Sequence, residues 1–281
     1  MKLVECPRDA IQGITSFIPT EKKVLYLNEL LQVGFDTIDF GSFVSPKAVP
    51  QMADTGEVLK QLDLSSAKAK LLAITANKRG AEEAVKFPEI SYLGYPFSIS
   101  ETFQLRNTGK TISQSVEEVK SIAELCEKYE KELVIYISMG FGNPYGEEWE
   151  PEIAEKWVEQ LSRLNISIFS LSDTVGIAEP ALIGNLFGKL TLAFPNLEFG
   201  AHFHTNPGTW VEKIEAAWTA GCRRFDGAIA GYGGCPMAAD KLVGNMPTEN
   251  LVEFLRGKGV ENLPSETEIS QLKLSFHDLI N

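Results

Sequence analysis

Short apolar runs alternate with longer amphipathic stretches along all 281 residues of the chain. The runs at Leu3–Cys6, Thr37–Phe40, Lys70–Ile74, Ile90–Tyr95, Leu133–Ser138, Ile166–Ser172, Leu197–Phe203 and Arg224–Ile229 predict eight strands. Several are rich in Val, Ile, Leu or Phe without polar alternation, as parallel strands buried on both faces require. Between them, Glu21–Val33 places Val24, Leu25, Leu27, Leu30 and Leu31 at helical spacing. Ser113–Tyr129 predicts a second helix, opened by Ser115-Val116-Glu117-Glu118 as a capping box. Pro151–Leu164, Pro180–Ala193 and Thr209–Ala220 predict later crossover helices, two of them with Pro in the first turn. Strands and helices in alternation, with no linker between them, predict one α/β domain over 1–281, a single (β/α)8 TIM barrel. The tail from about 247 to 281 supplies extra C-terminal helices. A doubly wound sheet is the competing architecture.

Composition narrows the function class. With 44% hydrophobic and 23% charged residues, the chain can bury a sizeable core, which excludes intrinsic disorder and a disulfide-stapled mini-fold. A net charge of −12 repels phosphate backbones and acidic membranes, so no nucleic-acid or membrane partner is expected. No stretch approaches the ~18 apolar residues of a membrane span. Met1-Lys2-Leu3-Val4-Glu5 has neither an apolar signal region nor an Arg-rich transit pattern. The cysteines Cys6, Cys126, Cys222 and Cys235 lie far apart without a CxxC pair, which suits reduced thiols in the cytosol. The expectation is a soluble cytoplasmic enzyme.

In a barrel of this kind, chemistry belongs at the C-terminal ends of the strands. After the first strand comes Pro7-Arg8-Asp9-Ala10-Ile11-Gln12, in which Arg8 and Asp9 offer an electrophile and a metal-ligating carboxylate, or else a surface ion pair. His202 and His204 are i and i+2 on the seventh strand and so point to one side. Two of the chain's three histidines on one strand face predict a divalent metal site; His277 is expected to be structural. After the eighth strand, Gly231, Gly233 and Gly234 permit backbone with positive φ, and Cys235 can exchange a proton or simply pack as a small apolar side chain. The loop Ser42–Met52 and the strand-ending Asp173 complete the candidates, with a Pro-braced lid and a helix cap as their plainer roles. Arg106, Lys110 and the Lys78-Arg79 pair are the local cations available to an anionic ligand, each of which also suits a solvated face. Neither a Walker pattern nor GxGxxG follows a strand, so no phosphate cradle is expected there.

Together these segments resemble the 3-hydroxy-3-methylglutaryl-CoA (HMG-CoA) lyase family, within the metal-dependent TIM-barrel lyases and synthases. The likeness runs from about Leu3 to beyond Asn245 and is most specific in Pro7–Gln12, Ser42–Met52 and Gly233-Gly234-Cys235-Pro236. It implies that Asp9, His202, His204 and Asn245 bind a divalent cation, and that donor set favours Mg²⁺ or Mn²⁺ over zinc. It implies further that Arg8 neutralises a developing enolate and that Cys235 is the mobile-loop catalytic residue. Asp173 matches the acidic group of the same cavity, so Asp173 or His202 would take the substrate's hydroxyl proton. Gln12 and Ser42, with Arg8, would touch an acyl-CoA substrate. The implied reaction is metal-assisted retro-Claisen cleavage of HMG-CoA, or a related 3-hydroxyacyl-CoA, to acetyl-CoA and acetoacetate. A cytoplasmic homodimer in leucine degradation goes with it. The chain departs from the family pattern at Cys6, Asp39, Thr205 and the Cys235-to-Asn245 spacing. The alternatives are a Claisen-type synthase or aldolase acting on a 2-oxo acid, and a catalytically silent binding barrel.

Overall fold

In a computed structural model, which describes residues 1–206, 208–234 and 243–281, eight parallel strands close into a barrel. They are β1 (Lys2–Glu5), β2 (Thr37–Ser42), β3 (Lys70–Ile74), β4 (Ile90–Ser98), β5 (Glu132–Ser138), β6 (Ile168–Asp173), β7 (Glu198–Thr205) and β8 (Arg224–Gly227). Each pairs with its sequence neighbour, and β1–β8 completes the ring. A doubly wound sheet would leave two open edges, so that alternative is excluded. Helices α1 (Pro7–Ile11) and α2 (Thr20–Gln32) follow β1, and α3 (Thr55–Lys60) and α4 (Lys78–Ala84) follow β2 and β3. Then come α5 (Glu101–Thr108), α6 (Ile112–Lys128), α7 (Pro151–Ser162), α8 (Pro180–Ala193) and α9 (Trp210–Thr219). A two-residue strand, β9 (Gly244–Asn245), pairs antiparallel with β7 and sets Asn245 opposite His204. Helices α10 (Thr248–Gly257) and α11 (Glu266–Ile280) end the chain, α11 packing on α2. No helix among the described residues is long and apolar enough to cross a membrane.

The strand alternation explains which side chains reach the site. On β7, Phe199, Ala201 and Phe203 join the apolar layer beneath the helices, so Gly200, His202 and His204 face the barrel interior. On β6, Phe169 and Leu171 face that same outer layer, and Asp173 shares their side. On β8, Phe225 points outward while Arg224 and Asp226 point inward. The interior is packed by Leu72, Ile74, Tyr92, Val134, Tyr136 and Ile168, so it is a filled core with no channel through it. Gly200 makes room for the buried Arg224: a Cβ there would lie 2.8 Å from the arginine Cδ. On β2 a bulge between Asp39 and Gly41 inserts one residue, which turns Ser42 toward the mouth.

One local expectation is corrected. The capping box of α6 is Thr111 with Gln114, each side chain meeting the other's backbone N–H. Ser115 lies inside the helix, buried, where its hydroxyl accepts from Gln104 Nε2. Thr111 takes the cap because its backbone is extended, as a cap requires, whereas Ser115 is already helical.

Candidate metal centre and active site

Three buried groups converge at the C-terminal mouth of the barrel: ligand atoms of Asp9, His202 and His204 all lie within 4.8 Å of one another. Each imidazole is held from behind. His204 Nδ1 lies 2.8 Å from the Thr174 carbonyl, which can only accept, so Nδ1 carries the hydrogen. Among the described residues its Nε2 is left buried without a partner. His202 Nδ1 lies 3.2 Å from Asp226 Oδ2, and the ring stands edge-on to Tyr136. This is how metal-binding histidines are oriented, with one nitrogen tied to a carboxylate or carbonyl and the other presented as a lone pair. Burial lowers the His204 pKa, helped by neighbouring His202, and keeps that ring neutral. Burial opposes charge on His202 too, but the hydrogen bond and charge of Asp226 outweigh it and raise its pKa.

The third group belongs to α1, whose Pro7 starts a one-turn helix that carries Arg8, Asp9 and Gln12 into the mouth. Burial works against an Asp9 anion, yet Arg8, His202, His204 and Asn245 together bring its pKa down to about 2. Asn245 donates from Nδ2 to Asp9 Oδ2 (2.6 Å) and to the Tyr232 carbonyl (2.9 Å), so it sits at the edge of the cluster. Gly233 presses against the same point with φ +93°. A Cβ there would lie 2.5 Å from the Asp9 carbonyl oxygen and 2.8 Å from Asn245 Nδ2. Only glycine combines that backbone with that approach.

Arg8 is clamped between two carboxylates. Nε and Nη2 both donate to Asp39, while Nη1 donates to Asp9 Oδ1 (2.7 Å) and Gln12 Oε1 (3.0 Å). Gln12 in turn donates from Nε2 to Asp9 Oδ1 (2.7 Å). Burial pushes Asp39 up to about 6 against the pull of Arg8, so it is anionic at neutral pH. Of the five N–H groups of a guanidinium, four are engaged, which leaves one on Nη2.

A cavity of about 270 Å³ opens over these groups, lined by Arg8, Asp9, Gln12, Ser42, His202 and His204 on one side. Val44, Ile74, Pro96 and Phe103 form apolar walls. Arg8 is the one cation in that lining among the described residues. Arg106 lies over the Tyr145 ring, Lys110 pairs with Glu118, and Lys78 and Arg79 are exposed. Arg79 does line an adjoining groove that shares Ser42, Val44, Ser45 and Asn77 with the cavity.

One expected site residue, Asp173, is not brought to this cluster, and another falls outside the described residues. Asp173 faces away from the cavity: its carboxylate takes Lys213 Nζ (2.6 Å) and the backbone N–H groups of Ile177 and Ala178. It shares the outward parity of Phe169 and Leu171, a signal already present in the alternation of that strand. Cys235 lies outside the described residues. Conversely, Asp226 and the Thr174 carbonyl escaped the sequence argument. Asp226 sits two residues after Arg224 on an inward-facing row, which marks it in retrospect; a backbone oxygen leaves no such mark.

The HMGL-like family matches residues 3–277. The chain is similar to a hydroxymethylglutaryl-CoA lyase of Bacillus subtilis, 32% identical, over 95% of this chain and 89% of that protein. It is similar also to a 3-hydroxy-3-isohexenylglutaryl-CoA/hydroxymethylglutaryl-CoA lyase of Pseudomonas aeruginosa, 30% identical, over 92% and 85% of the two chains. Among solved structures, an HMG-CoA lyase from Acinetobacter baumannii in complex with coenzyme A and 3-methylmalate superposes with a TM-score of 0.92. Identity there is 29%, covering 100% of this chain and 91% of the other.

Proposed function

The chain belongs to the HMGL-like family, and on that premise we propose that it is a carbon–carbon lyase cleaving HMG-CoA, or a closely related 3-hydroxyacyl-CoA, to acetyl-CoA and acetoacetate. The observation that carries this is the buried trio Asp9, His202 and His204, with an unpartnered His204 Nε2, beside a clamped arginine. Two imidazole nitrogens and a carboxylate, with the Asn245 amide alongside, fit one hard divalent cation, Mg²⁺ or Mn²⁺. Bound there, such an ion lowers the pKa of a substrate hydroxyl and orients it.

The chain's own residues then divide the work. His202 is proposed as a ligand beside Asp9 and His204, and a nitrogen that holds an ion cannot accept a proton at the same time. With Asp173 turned outward onto Lys213, the hydroxyl proton would leave to solvent water at the open mouth of the cavity. Arg8 lines the cavity and keeps one N–H uncommitted, which would serve the thioester oxygen where breaking the C–C bond builds enolate charge. Asp39 and Asp9 fix the guanidinium plane before substrate arrives, and a donor so placed stabilises the transition state by about 3–4 kcal/mol. Gln12 bridges Arg8 and Asp9 and, with Ser42, forms the wall the acyl group meets. Cys235 is the proposed proton donor to the carbanion, acting as a thiol; it follows directly on Gly233-Gly234, the first of which lies against Asp9. Cytoplasmic residence, a homodimeric state and a place in leucine degradation complete the proposal. The free, buried Cys6, Cys126 and Cys222 suit a reducing compartment.

The test is a panel of 3-hydroxyacyl-CoA thioesters, and of 2-oxo acids with acetyl-CoA, given to the purified chain with and without Mg²⁺ or Mn²⁺. Ion-dependent acetoacetate from HMG-CoA is expected. Free CoA from a 2-oxo acid plus acetyl-CoA would point to a synthase instead, and no turnover at all to a binding barrel.

A further inference from the structure

Behind β7, on the side away from the cavity, lies a buried ion pair that the chemistry above does not use. Lys213 is the fourth residue of α9, and its side chain is 4% exposed. Its ammonium makes three contacts: Asp173 Oδ2 at 2.6 Å, the Gly176 carbonyl at 2.9 Å and the His204 carbonyl at 3.3 Å. Three donors thus meet three acceptors. One of those acceptors is the backbone oxygen of an ion ligand. The other two are on Asp173, the last residue of β6, and on Gly176 in the turn that follows, which Asp173 also closes through the N–H groups of Ile177 and Ala178. That same turn contains Thr174, whose carbonyl takes the His204 Nδ1 hydrogen and whose hydroxyl accepts from Met139 N.

We propose that Lys213 is a positioning residue for the ion site, fixing His204 both at its own backbone and through the Thr174 carbonyl that selects its tautomer. Nothing local favours a lysine there. A cation near a helix N-terminus opposes the macrodipole, and burying an ammonium requires that all its hydrogen bonds be replaced. An apolar pair of similar volume would often stabilise such a place as well or better. What the lysine supplies that an apolar residue cannot is a directed link between β7, α9 and the turn after β6, converging on one imidazole. A metal-ligating histidine depends on such a link, since loss of the group behind it typically weakens metal binding 10–100-fold. This role rests on Asp9, His202 and His204 being the ion site.

The experiment compares the wild-type chain with Lys213→Met and with Lys213→Met/Asp173→Asn, all stripped of metal. Mn²⁺ affinity is read from the EPR signal of free Mn²⁺, and Tm is read on the metal-free proteins. The single variant leaves Asp173 as an unpaired buried anion and loses stability. The double variant removes that anion and recovers most of the Tm while still binding Mn²⁺ 10–100-fold more weakly than wild type. A double variant with wild-type Mn²⁺ affinity would reduce Lys213 to a structural filler and overturn the proposal, whether or not the single variant folds. No Mn²⁺ binding by the wild-type chain would overturn the ion site itself.

Discussion

Replacing Arg8 by Met separates what the guanidinium does for the reaction from what it does for the fold. Arg8 stands between Asp39, fully buried, and Asp9, and donates to both. Removing one partner of a buried charge pair typically costs about 3–5 kcal/mol, because the other charge stays desolvated. Burial already holds Asp39 at about 6 with Arg8 in place, and without that opposition its pKa rises further. A carboxyl whose folded pKa is raised favours the protonated protein, so its stabilising contribution is complete below the ordinary carboxylate range and is lost as pH climbs through the folded value. The stability defect of Arg8→Met is therefore smaller at pH 5 than at pH 7.5. Adding Asp39→Asn removes the orphaned anion and restores most of the Tm. The lost enolate donor is not restored, so kcat of both variants stays down by about 10²–10³, matching about 3–4 kcal/mol. Thermal unfolding at the two pH values, with steady-state turnover of HMG-CoA under saturating Mn²⁺, reads both effects. A double variant turning over within about threefold of wild type would remove Arg8 from the transition state.

Three further changes probe the support around the cluster. Asp226→Asn lets an amide N–H face His202 Nδ1, favouring the ring form with its hydrogen on Nε2; Mn²⁺ affinity measured by EPR should fall about 10–100-fold, and an unchanged affinity would show that Asp226 does not set the tautomer. Glu5, buried and bonded to Thr248 and the Ile229 N–H, is pushed up to about 8 by burial, so wild-type stability should fall by a few kcal/mol between pH 5 and 8. Glu5→Gln should flatten that dependence in urea titrations, whereas an equally steep profile would assign it to another group. Gly233→Ala places a methyl 2.5 Å from the Asp9 carbonyl at a φ that costs about 1–2 kcal/mol in non-glycine residues, so it should weaken both Mn²⁺ binding and turnover; calorimetric Mn²⁺ binding at wild-type strength would show that the segment yields.

Much of this is legible in the sequence. Unbroken Val, Ile and Leu runs mark strands buried on both faces, and Lys70–Ile74 and Pro180–Ala193 begin and end where the pattern puts them. The two-residue spacing of His202 and His204 sets both rings on one face, whatever else the chain does. The same parity places Asp173 on the opposite face from a site at the barrel mouth, but a strand-ending carboxylate next to a cavity-like motif draws attention to its chemistry ahead of its side. Lys213 and Asp173 are 40 residues apart, and nothing in either neighbourhood announces a pair that only the packing of α9 against the turn after β6 creates. Asp226 was hidden for a related reason. Its meaning lies in the ring it backs, 24 residues earlier, across an adjacent strand.

The most direct test is a crystal of the chain soaked in Mn²⁺, with anomalous scattering measured at the manganese edge. One ion is expected, bound by His202 Nε2, His204 Nε2 and an Asp9 oxygen at about 2.0–2.3 Å, within reach of the Arg8 guanidinium. An ion seated elsewhere, or these three side chains left bare at saturating Mn²⁺, would contradict this expectation.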